Sequence, residues 1–423
     1  MRKTVLTLAL ASLPALAGPA SAEICTIDAV PASTLLVHYF EVELNNDQGF
    51  TTLFSINNAS AAPTLAHLVL WTDWSIPTID FDVYLTGFDV QSFNLRDFFT
   101  FGLLPQTAPD DDFSNRGLFS LPHVVFPGCA GNLPIGNLPP ILIELITQAH
   151  TGQPVTFFGG ECAGQNYGDN IARGYVTIDQ VDACSVLFPS SPGYFGPGGI
   201  AGNDNVLWGD VFYVDPDNDF AHGQTAVHIE SAPAGFFVPG DYTFYGRYVG
   251  FAATDRREPL ATTFATRYLT GTGFEGGTDI LCWRDSKAPL DDTDTRFCGT
   301  GPPPPMPLSQ TQLVAFDEEE NASSEPPPPP ISPVPPAVSN VVCPLETQRV
   351  AVGSAQAPTI FSNGWLYLNL NTATNPPSPV DPFAQAWVSA IMSAEDRYSI
   401  GLDAIRFDSA CDPNIVILSP PAE

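Results

Sequence analysis

The run Ile79-Asp80-Phe81-Asp82-Val83-Tyr84-Leu85-Thr86 constrains the fold more than any other stretch of the chain. Ile79, Phe81, Val83 and Leu85 alternate with Asp80, Asp82, Tyr84 and Thr86. Successive side chains of a strand point to opposite faces, so the pattern specifies a strand with one dry and one wet face. It lies inside Gly49 to Asp97, which reads as four strands divided by turn chemistry. Thr52, Phe54 and Ile56 repeat the alternation. Asn57 to Pro63 then break it with turn-forming residues and a proline that cannot donate to a ladder. Leu65 to Trp71 is apolar on both faces apart from His67 and reads as a central strand buried on both sides. Consecutive short strands favour an antiparallel sandwich over βαβ units. The expected fold is mostly β, with antiparallel β-sandwich regions and one short helical insertion.

A chain of 423 residues is long enough for two or three domains. Residues 1–22 read as a secretory signal: Arg2-Lys3, the apolar Val5 to Ala17, and the small residues Ala20-Ser21-Ala22. The expected location is therefore the periplasm, the cell surface or the extracellular space. Residues 23–120 form an N-terminal β-sandwich region that starts with the strand Thr34 to Leu44, and Leu95 to Leu104 holds a short helical turn. Residues 121–300 form a disulfide-bonded, loop-rich β region. Its short helix, 139–151, opens on Pro139-Pro140 and stops at Gly152. Strands are expected there at Gly174 to Val181, Leu207 to Val214, Thr225 to Ile229, Tyr242 to Phe251 and Leu260 to Tyr268. Residues 301–340 read as a proline-rich acidic linker or surface loop around a strand at Gln312 to Phe316, because polyproline is stiff and solvated. Residues 341–423 form a C-terminal β region. No later run is long and apolar enough to insert in a membrane.

Charge narrows the partners. The net charge is −31, and it becomes more negative once Arg2 and Lys3 leave with the signal. Such a surface repels nucleic acid and anionic lipid. The 44% hydrophobic content separates this acidity from disorder. Cys25, Cys129, Cys162, Cys184, Cys282, Cys298, Cys343 and Cys411 contain no CxxC pair, which argues against zinc and thioredoxin-like chemistry. An even count in an exported chain reads as four disulfides. Sequence neighbours suggest Cys282 with Cys298 and Cys129 with Cys162. The rest join Cys343 to Cys411, or tie Cys25 to a late cysteine.

The segments TLLVHYFEVELN, TTLFSINNAS, LAHLVLWTDW and the late GWLYLNLN resemble exported bacterial β-sandwich proteins of immunoglobulin-like style with no assigned activity. The resemblance implies a fold and supplies no catalytic residues. The cysteine-in-strand and tryptophan signature of true immunoglobulin domains is absent here.

Chemistry leaves a fainter trace. GxSxG, HExxH and SxxK are missing, and the six histidines are scattered. With 46 acids, a carboxylate pair suited to glycoside hydrolysis carries no information without geometry. Asp215, Asp217 and Asp219 alternate in a way that could converge on Ca2+, which takes six to eight oxygens. The stretch is not an EF-hand, since Phe220 and Ala226 replace its glycine and its bidentate glutamate. Asp-Pro-Asp-Asn is equally good turn chemistry. Trp71 continues an apolar strand and reads as core, whereas Trp74 lies past the strand end and is the candidate ligand-stacking residue. Asp169 and Arg173 read as an ion pair bracing a loop. The expected function is an exported non-catalytic surface, matrix or adhesion protein with a protein or glycan surface partner. The alternatives are a carbohydrate-binding protein using exposed aromatics and a secreted hydrolase with an unrecognised site.

Overall fold

The computed structural model describes residues 30–105, 126–129, 133, 137–233, 243–249, 255–271, 276–285, 312–324, 345–370, 384–394 and 397–407. The expected signal segment 1–22, most of region 301–340, and Cys25, Cys298, Cys343 and Cys411 lie outside these residues. The chain begins β1 (Thr34–Glu43), β2 (Thr51–Asn58), β3 (Thr64–Thr72), β4 (Pro77–Leu85), β5 (Val90–Asn94), α1 (Leu95–Phe101) and α2 (Pro140–His150). It continues β6 (Pro154–Val155), β7 (Glu161–Cys162), β8 (Ile171–Val181), β9 (Leu207–Asp215), β10 (Phe220–Thr225), β11 (Val227–Ile229) and α3 (Gly246–Val249). Then come β12 (Thr263–Leu269), β13 (Gly277–Asp285), β14 (Gln312–Phe316), β15 (Ala322–Ser324), β16 (Thr347–Ala351), β17 (Asn363–Asn369), β18 (Gln385–Ala394), β19 (Tyr398–Asp403) and β20 (Ile405–Arg406).

All pairings between these strands are antiparallel. Sheet 1 has the order β10-β9-β2-β5 and sheet 2 the order β11-β1-β8-β3-β4. Phe54, Ile56, Val211 and Tyr213 from sheet 1 meet Val37, Leu68, Phe81 and Val83 from sheet 2 in one buried core. Sheet 3 (β15-β14-β17-β12-β20) and sheet 4 (β16-β13-β18-β19) form the second sandwich. Phe264, Leu366 and Leu368 pack there against Ile280, Cys282 and Val388. The sheets run across the sequence regions: β8 to β11 share sheets with β1 to β5, and β12 and β13 share sheets with the C-terminal strands.

Sheet 2 is covered on both faces. Every residue of β3 is buried, as its apolar composition implies. The alternation of β4 holds on the core side, where Phe81, Val83 and Leu85 are buried. Its expected wet face is a correction: Asp82 is fully buried and Tyr84 nearly so. Period two reports which residues share a face, and here a second layer covers the polar one. Thr34, Asp179, His67 and Asp82 stand in one cross-strand row over β1, β8, β3 and β4. His67 Nδ1 lies 2.8 Å from Asp82 Oδ1, and Asp82 Oδ2 accepts from the Ser185 amide at 2.8 Å. Asp179 accepts from Thr34, Tyr194 and Tyr245. Arg257 pairs with Asp255 at 2.9 Å and reaches Asp179 at 3.4 Å. Burial alone would lower the His67 pKa, but the Asp82 hydrogen bond and the charges of Asp82, Asp80 and Asp179 outweigh it and raise the pKa.

Three further expectations change. Cys129 is bonded to Cys184 and not to Cys162, because the 126–129 segment packs on the Tyr84–Val181 edge of sheet 2. Cys162 is also disulfide-bonded. Cys282 carries a free thiol buried in the second core, so the pairing with Cys298 and the set of four disulfides are not realised. Tyr242 to Phe251 is expected as a strand, but its described part turns into α3. Helix α2 matches its expected span, with Pro140 in the first turn and Gly152 at φ 67° just beyond. No helix among the described residues is long and apolar enough to cross a membrane.

Candidate ligand-binding face

Sheet 1 has one face in the core and one in solvent. Phe54, Ile56, Val211 and Tyr213 point inward, so their neighbours Leu53, Ser55, Asn57, Asp210 and Phe212 line the outside. Register assembles these residues into rows. Asp210, Ser55 and Ser92 stand side by side across β9, β2 and β5, and Trp208, Asn57 and Val90 form the next row. Phe212 and Leu53 form the row on the other side. A carboxylate row is thus flanked by an aromatic residue on either side. Ser55 Oγ donates to Asp210 Oδ1 at 2.7 Å, and Asn57 Nδ2 donates to Ser55 Oγ at 3.4 Å. Phe212 lies over Gly223, where any Cβ would fall 2.5 Å from its ring. The result is an open groove of about 790 Å³.

The groove's rim comes from the β4–β5 turn. Phe88 is 70% exposed and holds φ 59°, the left-handed region that a bulky side chain rarely adopts. The turn is rigid. Asn58 Nδ2 donates to Ala62 O at 2.7 Å and to Thr86 O at 2.9 Å, tying the β2–β3 and β4–β5 loops together. Asp89 accepts from Thr86 N, Thr86 Oγ1 and Val90 N. The Phe88 amide donates to Ser60 O at 2.9 Å. Gly87 is needed because a Cβ there would sit 2.2 Å from Ala61 O. Asp89 and Asp210 are the acids lining the groove, and its lining contains no Lys, Arg or His. With Asp89 holding its own turn, Asp210 is the carboxylate open to a ligand.

The residues singled out by sequence lie elsewhere. Trp74 is buried against Ile76, Ala149, Val155 and Leu345, because the chain after β3 folds under α2 instead of into solvent. Asp215, Asp217 and Asp219 sit in the tight β9–β10 hairpin, with a short 3-10 turn at Pro216–Asn218. Asp217 accepts from Asn46 at 2.7 Å and Asp215 from Asn218 at 2.7 Å, which are turn and loop contacts. Among the described residues no group of three His, Cys, Asp or Glu side chains could hold a metal ion. Asp169 and Arg173 do form the expected brace, at 2.7 Å and 3.0 Å.

One pair has the look of a nucleophile and base: His38 Nε2 is 2.9 Å from Ser389 Oγ. Both residues are fully buried, and His38 Nδ1 has no hydrogen-bond partner among the described residues to orient it. Burial, aided by His222, pushes the His38 pKa down to about 3, so the imidazole is neutral and sealed from substrate. Trp208 and Phe212 have a weak signature in the sequence. The segment LWGDVFYV is apolar on both faces, so alternation marks a strand there without saying which face is wet. Comparison with models of known protein families, with curated proteins and with solved structures finds no match.

Proposed function

We propose that this is an exported, non-catalytic surface, matrix or adhesion protein whose contact face is the groove on sheet 1. The carrying observation is Phe88, a strained and exposed aromatic held rigidly at the rim beside Val90, Trp208 and Phe212. Backbone strain persists where the surroundings over-determine it, and such positions cluster at ligand clamps. Preorganisation also lowers the entropy lost on binding. Export is supported by the N-terminal pattern of the sequence and by the Cys129–Cys184 bond, which belongs in an oxidising compartment. The net charge of −31 disfavours nucleic acid and anionic lipid as partners. The test is retention of purified protein on the surface and matrix of the producing cells. Phe88→Asn combined with Phe212→Ser should abolish retention without lowering the melting temperature by more than a few degrees. Equal retention of this variant and the wild type would exclude the groove as the contact face.

A further inference from the structure

We infer that the groove binds a neutral saccharide chain, an assignment that rests on the groove being the contact face. Its chemistry is that of a surface for hydroxyl-rich rings. Trp208 and Phe212 flank Asp210 on one strand, with Ser55 and Asn57 beside it. At about 3.3 Å per residue the two aromatics stand ~13 Å apart, a span of about two to three hexose rings. A hexose ring has apolar C–H patches that lie on aromatic faces, and equatorial hydroxyls that both donate and accept hydrogen bonds. Ser55 occupies Asp210 Oδ1, which leaves Oδ2 to accept from a ligand hydroxyl. The groove is open along the sheet face, so the interior of a chain can lie in it.

Charge and donor count choose between occupants. The lining has two carboxylates and no cation, on a chain of net charge −31, so sulfated or uronic polymers are repelled. A proline-rich peptide is the main rival, because aromatic grooves also dock polyproline helices. Proline has no backbone N–H, so such a ligand offers carbonyl acceptors and few donors. The Asp210 carboxylate is an acceptor only, and that peptide would cover its Oδ2 without offering it a donor. Saccharide hydroxyls supply the missing donors.

The experiment is titration of the full chain with neutral gluco-, manno-, xylo- and galacto-hexasaccharides, read by tryptophan fluorescence and calorimetry. Heparin and a decaproline peptide are the comparison probes. At least one neutral hexasaccharide should bind, with little salt dependence, and heparin should not. Trp208→Ala and Asp210→Ala should each weaken binding by about tenfold or more. Phe157→Ser, at an exposed aromatic away from the groove, should leave it unchanged. Phe88→Asn guards against misfolding as the cause of loss, because it relieves backbone strain. Saccharide binding that survives Trp208→Ala would overturn the site. Decaproline binding that Trp208→Ala removes would overturn the ligand class. If no hexasaccharide binds, while the groove variant still loses cell-surface retention, the saccharide is wrong and the contact face stands. If retention is also unchanged, both readings fall.

Discussion

Asp82 has no exposed surface and divides its carboxylate between His67 and the Ser185 amide. Removing it would leave a buried imidazole facing Asp80 at 3.8 Å with its main partner gone. Breaking a buried pair costs about 3–5 kcal/mol, the same range as truncating Phe81 on the opposite face. Urea unfolding should therefore show Asp82→Ala and Phe81→Ala destabilising the protein by comparable amounts. A small effect at Asp82 would mean that this face is wet after all. His67 also links stability to pH. The folded pKa of His67 is raised, so its contribution is fully present below the unfolded value near 6.5 and is lost as pH rises through the folded value. His67→Gln should flatten that part of the stability profile.

The β4–β5 turn places a phenylalanine where glycine or asparagine is the easier residue. Phe88→Asn should raise stability by about 1 kcal/mol, since asparagine tolerates the left-handed region. A loss of stability on substitution would show that Phe88 is held by packing and not strained. On the far side of the same sandwich, the Cys129–Cys184 bond closes a sequence separation of 55. Cys184→Ser should cost about 2–5 kcal/mol and be most visible in melts without reductant. These elements also show what the sequence could reveal. Strands with a single covered face, such as β2, declare themselves by alternation, and α2 declares itself by Pro140 and Gly152. The hairpin strand β10 (FAHGQT) has no such signature, because His222, Gly223 and Gln224 form a strand only by pairing with β9. Asp82 and Asp179 look solvated in sequence, since covering residues such as Ser185, 103 positions from Asp82, and Arg257 over Asp179 leave no local trace. The groove was hidden for a related reason: Trp208 and Phe212 become neighbours of Asn57 and Leu53 only through register.

The two sandwiches meet along the outer face of sheet 2, and their seam buries acids whose pKa values burial raises. Trp71, Tyr175, Phe244 and Trp283 form its apolar part. Arg247 on α3 pairs with Asp285 and, at 2.8 Å, with Glu346, and it donates to Ser75 Oγ at 2.9 Å. The Glu346 amide donates to the Asp73 carbonyl at 3.1 Å, so both acids belong to this seam. Burial pushes Glu346 up to about 7, with Arg247 opposing the shift and Asp285 adding to it. Burial likewise pushes Asp73 up to about 7, against the Gln165 amide and the charge of Arg173. Between roughly pH 4 and 7 each group holds a proton that the unfolded chain has released. The stability that each contributes is fully present below the unfolded pKa and is lost as pH rises through about 7. Buried histidines act in the opposite sense: burial lowers His38 to about 3 and His150 to about 4, so their contributions grow with pH until the unfolded value near 6.5. The two sets oppose each other below about pH 6.5, and above it the downward contributions of Glu346, Asp73 and His67 prevail over these histidines. The unfolding free energy should therefore fall between about pH 6.5 and 8. In the double variant Asp73→Asn with Glu346→Gln that slope should shrink. Urea titrations of both proteins at half-unit pH steps decide the matter. If the double variant keeps the full wild-type slope, both acids are already ionised at neutral pH, and Arg247 holds the seam without help from their protons.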